Sequence, residues 1–243
     1  FSTPGNILAD AAADYQVGAA GQTSADVGIA GTTTGAWKYY SSVTGDPADG
    51  LTLLTFGSAG LEGGDGYTGS GTVFGNPGCC VNTPIVSGDG LFDGITTPPS
   101  GMLALHPGES ANAPEFAVVE YLATQPMTDI LLNFEILNAG AGDGVDWEIL
   151  LSDGTSFASG ISDGDLDFDN CLMIPDLLAG DSIFLVVGNG PGDNPGGDQT
   201  FVRLNVQGTV VPEPASIALW SLLGLLGVAG IYVRGRRRNE GRK

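Results

Sequence analysis

The chain has 243 residues and a mass of 24.7 kDa, and glycine and proline together occupy about 22% of its positions. So many turn-forming residues exclude a helical bundle or a coiled coil, but they stay below the roughly 25–30% typical of disordered chains. The formal net charge is −20, and residues 1–211 hold 26 of the 28 acidic residues against two basic ones, Lys38 and Arg203. Such a negative field excludes nucleic acid as a partner, and it attracts basic proteins or divalent cations.

The first segment, residues 1–34, begins at Phe1 rather than at methionine. This start predicts a mature N-terminus from which a signal peptide has been removed, and an artificial start is the alternative. The alanine-rich stretch from Ile7 to Tyr15 is the strongest candidate for a helix before residue 215.

Short apolar runs separated by turn residues fill residues 35–211, which we take as one extracytoplasmic domain. Asp-Gly pairs such as Asp153-Gly154 between apolar runs are typical of hairpins. About nine short strands favour an all-β fold, a jelly-roll-like antiparallel β-sandwich. The predicted strands are Ala36–Ser42, Leu51–Phe56, Tyr67–Phe74, Met102–His106, Phe116–Ala123, Ile130–Leu137, Val145–Leu151, Ser182–Val187 and Thr200–Val206.

Several of these runs resemble a known family. The sequence reads AWKYY at 36–40, LHPG at 105–108, VVEY at 118–121, GDGVDWEI at 142–149, SDGT at 152–155 and AGDSI at 179–183. This order resembles the galactose-binding-like β-sandwiches of exported bacterial proteins. The resemblance implies a jelly roll and, in many members, carbohydrate binding. Relatives often have Arg-Trp where this chain has Glu120-Tyr121, which is a departure at a ligand-contacting position.

The C-terminal segment has the composition of a membrane span. Residues 215–233 contain no charged residue, and six of the eight basic residues of the chain follow within 234–243. About 20 apolar residues cross a bilayer as one helix, and positive residues stay on the cytoplasmic side. We therefore expect a transmembrane helix at 215–233, a cytoplasmic basic end at 234–243 and the β-domain outside the cytoplasm.

A sorting signal overlaps this span. The motif Pro212-Glu213-Pro214, then the apolar stretch, then Arg236-Arg237-Arg238, resembles the PEP-CTERM tail of exported bacterial proteins. The resemblance implies an inner-membrane, single-pass protein with a periplasmic domain, or a cell-surface protein once an exosortase has processed the tail. Within the span, Gly224, Gly227 and Gly230 permit close helix–helix contact.

The motifs for catalysis are weak. Gly160-Ile161-Ser162-Asp163-Gly164 matches G-x-S-x-G, but a nucleophile elbow needs a helix after it and a later histidine, and the single histidine is His106. Asp146 and Glu148 share one strand face beside Trp147, where a carboxylate pair could serve glycoside hydrolysis. A solvated strand face is the favoured interpretation of this pair. His106 is interpreted as a strand-end residue with a local hydrogen bond.

Calcium is the metal that the sequence favours. Asp163, Asp165, Asp167 and Asp169 alternate, and Asp176 falls at the twelfth position of a loop that starts at Asp165, as in an EF-hand. Asn170 stands where such loops have glycine, and the last ligand is Asp rather than Glu. A solvated acidic loop is the favoured interpretation of this segment, and a structural calcium ion is the alternative.

The chain has three cysteines, Cys79, Cys80 and Cys171. Disulfides persist outside the cytoplasm, so we expect Cys171 to pair with Cys79 or Cys80, leaving one thiol over. A strained bond between the adjacent Cys79 and Cys80 is the alternative.

Together these patterns predict a non-catalytic protein. The favoured function is that of a membrane-anchored accessory subunit, whose sandwich and helix pack against a larger membrane-protein assembly such as a photosynthetic or respiratory complex. The alternative is an exported glycan-binding module. The partners are accordingly membrane-protein subunits, the lipid bilayer or a glycan.

Overall fold

The computed structural model describes residues 7–14, 35–57, 66–68, 85–87, 99, 101–110, 113–138, 144–162, 168–192 and 200–211. Short 3-10 turns occur at Pro47–Asp49 and Gly190–Gly192, and the remaining regular structure in these segments is β-strand. The strands are β1 (Ile7–Asp10), β2 (Gly35–Ser42), β3 (Thr52–Leu53), β4 (Thr55–Gly57), β5 (Gly66–Thr68), β6 (Ile85–Ser87), β7 (Leu103–His106), β8 (Gly108–Ser110), β9 (Ala113–Ala123), β10 (Met127–Asn138), β11 (Val145–Leu151), β12 (Ser156–Ser162), β13 (Phe168–Ile174), β14 (Ser182–Val187) and β15 (Thr200–Val210).

The described strands form two antiparallel sheets. Sheet I has the order β13-β10-β15-β7-β6-β5-β4, with β1 also paired to β15. Sheet II has the order β12-β11-β14-β9-β2-β3, with β8 also paired to β9. From β9 onward the chain changes sheet at each connection except the β11–β12 hairpin, so neighbours in the sequence mostly lie in opposite layers. The predicted all-β antiparallel sandwich is therefore confirmed.

The core lies between the two sheets because alternate residues of each strand point inward. From residue 130 onward, the buried residues of β10 are Ile130, Leu132, Phe134 and Ile136, and the residues between them are half-buried. The Phe134 ring from sheet I meets the Trp147 ring from sheet II at a centroid distance of 5.2 Å. This tilted contact ties the two layers together across the core.

The two ends of the sandwich are set by the strand registers. In sheet II, β2 runs along β9 from the pair Gly35–Ala123 to the pair Ser42–Phe116. The backbone N–H of Val211, just after β15, donates to the Pro126 carbonyl at 2.9 Å, in the turn that follows Ala123. Val211 and Phe116 thus lie at opposite ends, about 23 Å apart along β9 at the rise of a strand. We call the end with Val211 the tail end and the other the distal end.

Several predicted elements differ from the structure. The candidate helix at Ile7–Tyr15 is wrong at its start: Ile7–Asp10 is a strand that pairs with Asn205–Gln207 of β15. Burial of Ala9 and Ala11 against the core outweighs the alanine-rich helix propensity of this stretch. The predicted strand Leu51–Phe56 is interrupted at Leu54, and β12 and β13 were not predicted because their sequences mix Ser, Gly, Asp and Asn with few alternating apolar residues.

The C-terminal segment, residues 212–243, lies outside the described residues, as do positions 69–74 of the predicted strand Tyr67–Phe74. Among the residues that are described, no helix is long and apolar enough to span a membrane. The transmembrane helix, the sorting motif and the glycine contacts therefore stay predictions.

Candidate functional site: a cavity on the outer face of sheet II

Much of the outer face of sheet II is buried. All six residues of β14 are buried, so this strand is covered on both faces. The residues that point away from the core form a second apolar cluster, with Tyr40, Leu51 and Phe116 packed against it. We call this second cluster the outer-face cluster; it consists of Val118, Leu150, Phe184 and Val186.

A cavity of about 730 Å³ opens beside this cluster. Leu150 and Val186 are shared between the cluster and the cavity lining. The polar side of the lining comes from the β2–β3 loop and from strands β11 and β12. We call this space the outer-face cavity, and its lining includes Phe116, Asp46, Asp146, Glu148, Ser156 and Ser159.

A glycine at position 188 allows the Phe116 ring and the Asp146 carboxylate to meet at the distal end of the cavity. A Cβ atom at Gly188 would stand 2.3 Å from Asp146 Oδ1 and 2.5 Å from Phe116 Cε1. Both distances are far below van der Waals contact, so no side chain fits there. The aromatic ring and the carboxylate consequently lie together over the bare backbone of residue 188.

Gly160 likewise has no side chain because the Trp147 ring occupies the space where a Cβ atom would lie. The two residues face each other across β11 and β12, and a Cβ at Gly160 would lie 2.7 Å from Trp147 Cζ2. The indole therefore packs against the backbone of β12 on the core side of sheet II. On the opposite side, the β11–β12 pair lines the cavity.

The two carboxylates on β11 are held differently. Asp146 Oδ1 accepts a hydrogen bond from the Gly190 backbone N–H at 2.9 Å, and the Asp146 carbonyl accepts one from the Gly188 N–H at 2.8 Å. Glu148 is half-buried in the cavity wall. Within the part of the chain that the structure describes, its carboxylate has no hydrogen-bond or ion-pair partner. Asp146 is thus a fixed group, whereas Glu148 is available to a ligand.

Glu120 lies on the same outer face but belongs to an internal polar cluster. One carboxylate oxygen accepts from Ser182 Oγ at 2.5 Å, and the other accepts from Tyr40 Oη at 2.7 Å. Lys38 Nζ lies 3.6 Å from the second oxygen. Burial, followed by the hydrogen bond to Glu120, raises the pKa of Tyr40 well above its usual value. These contacts occupy Glu120, so the position that differs from the galactose-binding-like family serves the fold.

Tyr121, the second residue of that departure, is a core residue. Its ring meets Trp37 at a centroid distance of 5.2 Å, and its hydroxyl contacts the Met127 sulfur at 3.4 Å. Neither Glu120 nor Tyr121 lines the outer-face cavity among the described lining residues. Both side chains are thus engaged in contacts within the sandwich.

The single histidine is placed as the sequence predicts. His106 ends β7, it is buried, and its Nδ1 lies within hydrogen-bond distance of the Pro107 carbonyl oxygen. Burial lowers the pKa of His106 to about 4, and the hydrogen bond to the Pro107 carbonyl opposes this shift only partly. A neutral imidazole in this position is a structural group.

The G-x-S-x-G serine is not a nucleophile elbow. Ser162 is the last residue of strand β12, it is fully buried, and it pairs with Val145. An elbow needs its serine exposed at a sharp turn between a strand and a helix. Asp146 and Glu148 leave the same face of β11, as predicted, but both are half-buried in the lining of the cavity rather than on a fully solvated face.

The predicted calcium loop is described only in part, and the calcium site stays a prediction. Residues 168–174 form the extended strand β13, paired with β10, so Asp169 and Asp176 are separated by a strand. Asp163, Asp165 and Asp167 lie outside the described residues. Within those that are described, no group of three or more His, Cys, Asp or Glu is placed to hold a metal.

Cys171 lies on β13 with an exposed side chain and, in the described part of the chain, forms no disulfide. Its predicted partners, Cys79 and Cys80, lie outside the described residues. The disulfide between Cys171 and one of them stays a prediction.

The sequence did not predict a place in a binding site for several residues that line the cavity: Phe116, Ser156, Ser159, Gly160 and Gly188. A signal for Gly160 is present in the sequence, because the Asp153-Gly154 turn fixes the hairpin register that brings Gly160 opposite Trp147. No protein-family model matches this sequence, and no curated protein matches it.

Proposed function

We propose that this chain is a non-catalytic glycan-binding module whose ligand occupies the outer-face cavity. The observation that carries the proposal is the pairing of the Phe116 ring with the Asp146 carboxylate over Gly188, in a concave site with a rigid strand floor. Ligand sites in proteins are concave and mostly apolar, with a few placed polar groups. A sugar ring offers an apolar C–H face to an aromatic side chain and hydroxyl groups to carboxylates and serines.

The resemblance to galactose-binding-like sandwiches supports the same proposal. We further propose that the fold is a jelly roll. The strand orders β7-β15-β10-β13 and β9-β14-β11-β12, with the chain alternating between them, support this assignment because two interleaved Greek keys produce this pattern. The site lies on an outward face of the sandwich, not in the core.

Binding without catalysis is favoured by the placement of the two carboxylates. Asp146 and Glu148 leave the same face of one strand, so both would meet the same side of a bound sugar. The acid and base of a glycosidase instead flank the scissile bond from two sides. In addition, Asp146 Oδ1 is already engaged by the Gly190 N–H.

The proposed location rests on the sequence of the C-terminal segment, residues 212–243. The motif at 212–214, the apolar residues 215–233 and the basic end 234–243 support an inner-membrane anchor with the sandwich in the periplasm, or at the cell surface after sorting. The last described residue before this segment, Val211, lies at the tail end. The Phe116–Asp146 end of the cavity then lies away from the membrane, toward extracellular glycans.

A glycan array probed with the full chain tests the proposal. The blocking variant is Ser159→Trp, because Ser159 is exposed and faces Glu148 across the hairpin, so an indole there fills the cavity without entering the core. The matched control is Thr209→Trp, an exposed position on β15 of sheet I. We expect glycan binding that survives Thr209→Trp and is lost in Ser159→Trp. Absence of binding to every glycan, or binding unchanged in Ser159→Trp, would overturn the proposal.

The accessory-subunit function is the second candidate, and the exposed apolar residues of the tail end favour it. Leu178 is 67% exposed and Val211 is 36% exposed. Both lie near Pro126 and Met127, since Leu177 pairs with Met127 and Val211 bonds to Pro126. A membrane-protein assembly would cover this end while the predicted helix packs through Gly227. Co-purification of membrane partners that is lost in Gly227→Leu, with the chain still in the membrane, would favour this candidate over the glycan module.

A further inference from the structure

The charge of the outer-face cavity narrows the class of ligand, and this step rests on the glycan-binding function proposed above. Three carboxylates line the cavity, from Asp46, Asp146 and Glu148, and the described lining residues include no lysine, arginine or histidine. We propose that the cavity selects glycans that carry free amino groups, such as de-N-acetylated amino sugars, over neutral and acidic glycans.

The two basic residues of the described segments form ion pairs outside the cavity. Lys38 pairs with Glu120, and Arg203 of sheet I pairs with Glu135 on the other side of the sandwich. Neither lines the cavity. The negative charge of the lining is therefore not compensated by a described cation, and the surrounding surplus of acidic residues strengthens it.

The three carboxylates differ in what they can offer a ligand. Asp46 Oδ1 accepts from the Ala48 N–H at 2.8 Å, and Asp146 Oδ1 accepts from the Gly190 N–H at 2.9 Å. These bonds fix two side chains of the lining. Glu148 has no such bond within the described residues, and a half-buried carboxylate without a partner gains most from an incoming ammonium group. Glu148 is thus the residue that we assign to the amino group.

The neighbouring groups fit the rest of such a sugar. Ser159 faces Glu148 directly across the β11–β12 pair, so its hydroxyl can serve the ring substituent next to the amino group. Phe116 presents an aromatic ring, which attracts a nearby cation as well as the C–H face of a sugar. A uronic acid or a sulfated sugar would instead place like charges together, which disfavours binding.

Three oligosaccharides of equal length test the inference: the hexamers of glucosamine, of N-acetylglucosamine and of galacturonic acid. Their affinities for the full chain are measured by calorimetry at low and at high salt. We expect the glucosamine hexamer to bind about fivefold to tenfold more tightly than the N-acetylated hexamer at low salt, the gain of one or two partly screened ion pairs. The preference should shrink at high salt. Galacturonic acid should bind most weakly.

Two variants and a control separate this contact from general attraction to an acidic protein. Glu148→Gln keeps the size of the side chain and should bring the two hexamers to within about twofold of each other. Asp129→Asn removes one charge from an exposed position of sheet I, where the left-handed backbone (φ 52°) suits asparagine, and should leave the preference unchanged. Ser159→Trp should abolish the binding of glucosamine hexamer.

The outcomes distinguish this inference from the proposed function. Equal binding of the two hexamers, or a glucosamine preference that persists in Glu148→Gln, contradicts the amino-sugar inference and leaves glycan binding intact. Glucosamine binding that survives Ser159→Trp shows attraction to the surface at large and also contradicts it. If none of the hexamers binds and the array is also empty, both proposals fail together.

Discussion

The outer faces of the two sheets differ in what they bury. On sheet I, the outer face holds the ion pair of Glu135 and Arg203, and a small apolar cluster of Met102, Ala104 and Phe201 is buried beside it. On sheet II, the outward residues include the outer-face cluster and the buried carboxylate of Glu120. Both outer faces therefore bury some apolar side chains, but the described cluster on sheet II is the larger of the two and has a cavity beside it.

This difference is the basis for placing the proposed ligand on sheet II. Its outer face combines the larger apolar cluster, the buried carboxylate of Glu120 and a cavity, and concave, partly apolar surfaces are typical of ligand sites. The comparison predicts that equivalent changes will have unequal effects on the two sheets.

The largest expected difference is between apolar residues on the two outer faces. Phe184→Ala, in the outer-face cluster, should lower the free energy of unfolding by roughly 3 kcal/mol, because it leaves a cavity between Leu150 and Val186. Leu131→Ala, at a half-buried outward position of β10, should cost about 1 kcal/mol or less. Urea unfolding of both variants measures the two losses. Equal losses would mean that the faces are alike.

The next effect concerns pH and the buried imidazole of sheet I. His106 has a pKa of about 4 in the folded chain, against about 6.5 when unfolded. The unfolded chain therefore takes up the proton first, so stability is complete above pH 6.5 and falls as the pH drops toward 4. The loss from this group is roughly 3 kcal/mol.

The matching experiment compares the pH dependence of unfolding in the parent chain and in His106→Gln. The carboxylates contribute to both curves, so the difference between them isolates the imidazole. A difference that is flat between pH 6.5 and 4 would contradict a buried neutral His106.

The two ion pairs give a matched comparison of charge. Glu120→Ala should cost about 2 kcal/mol, because it leaves Tyr40, Ser182 and the partly buried Lys38 without their shared acceptor. Glu135→Ala, in the more exposed pair with Arg203, should cost less than about 1 kcal/mol. Thermal unfolding at low and high salt checks both values. A larger loss in Glu135→Ala would reverse the proposed ranking of the two faces.

The smallest expected effect concerns the contact between the Trp147 indole and Gly160. Gly160→Ala places a methyl group 2.7 Å from Trp147 Cζ2 and should cost about 1–2 kcal/mol, with a change in tryptophan fluorescence as the indole moves. On sheet I, Gly208→Ala meets its nearest neighbour, the Thr128 carbonyl oxygen, at 3.2 Å and should cost less. Unchanged fluorescence in Gly160→Ala would show that the Trp147 indole accepts a methyl group at position 160 without moving.

The fold was largely readable from the sequence because alternation and turn chemistry are local signals. Residues 132–136 of β10 alternate between apolar and polar side chains, and the Asp153-Gly154 turn sets the β11–β12 register. Strands β12 and β13 were missed since their pairing depends on long β10 and β11 neighbours, not on their own composition. The short strand β1 was mistaken for a helix because its partner, β15, lies nearly 200 residues further along the chain.

Only part of the candidate site could be predicted from the sequence. Asp146 and Glu148 could be placed on one face because the side chains of a strand alternate with period two. The cavity itself could not be predicted, since it needs Phe116 from β9, Gly188 after β14 and the β2–β3 loop to meet. Contacts between residues 40 to 140 positions apart leave no mark in a local pattern.

Hydrogen–deuterium exchange of the full chain, with and without the glucosamine and N-acetylglucosamine hexamers, tests the central claim most directly. If the ligand occupies the outer-face cavity, protection should appear in peptides that cover residues 43–50, 152–162 and 188–192, which border it in the loop, the hairpin and the turn after β14. Peptides of β10 and β15 on sheet I should exchange as before. Protection confined to sheet I, or no protection anywhere at saturating hexamer, would contradict a binding site on the outer face of sheet II.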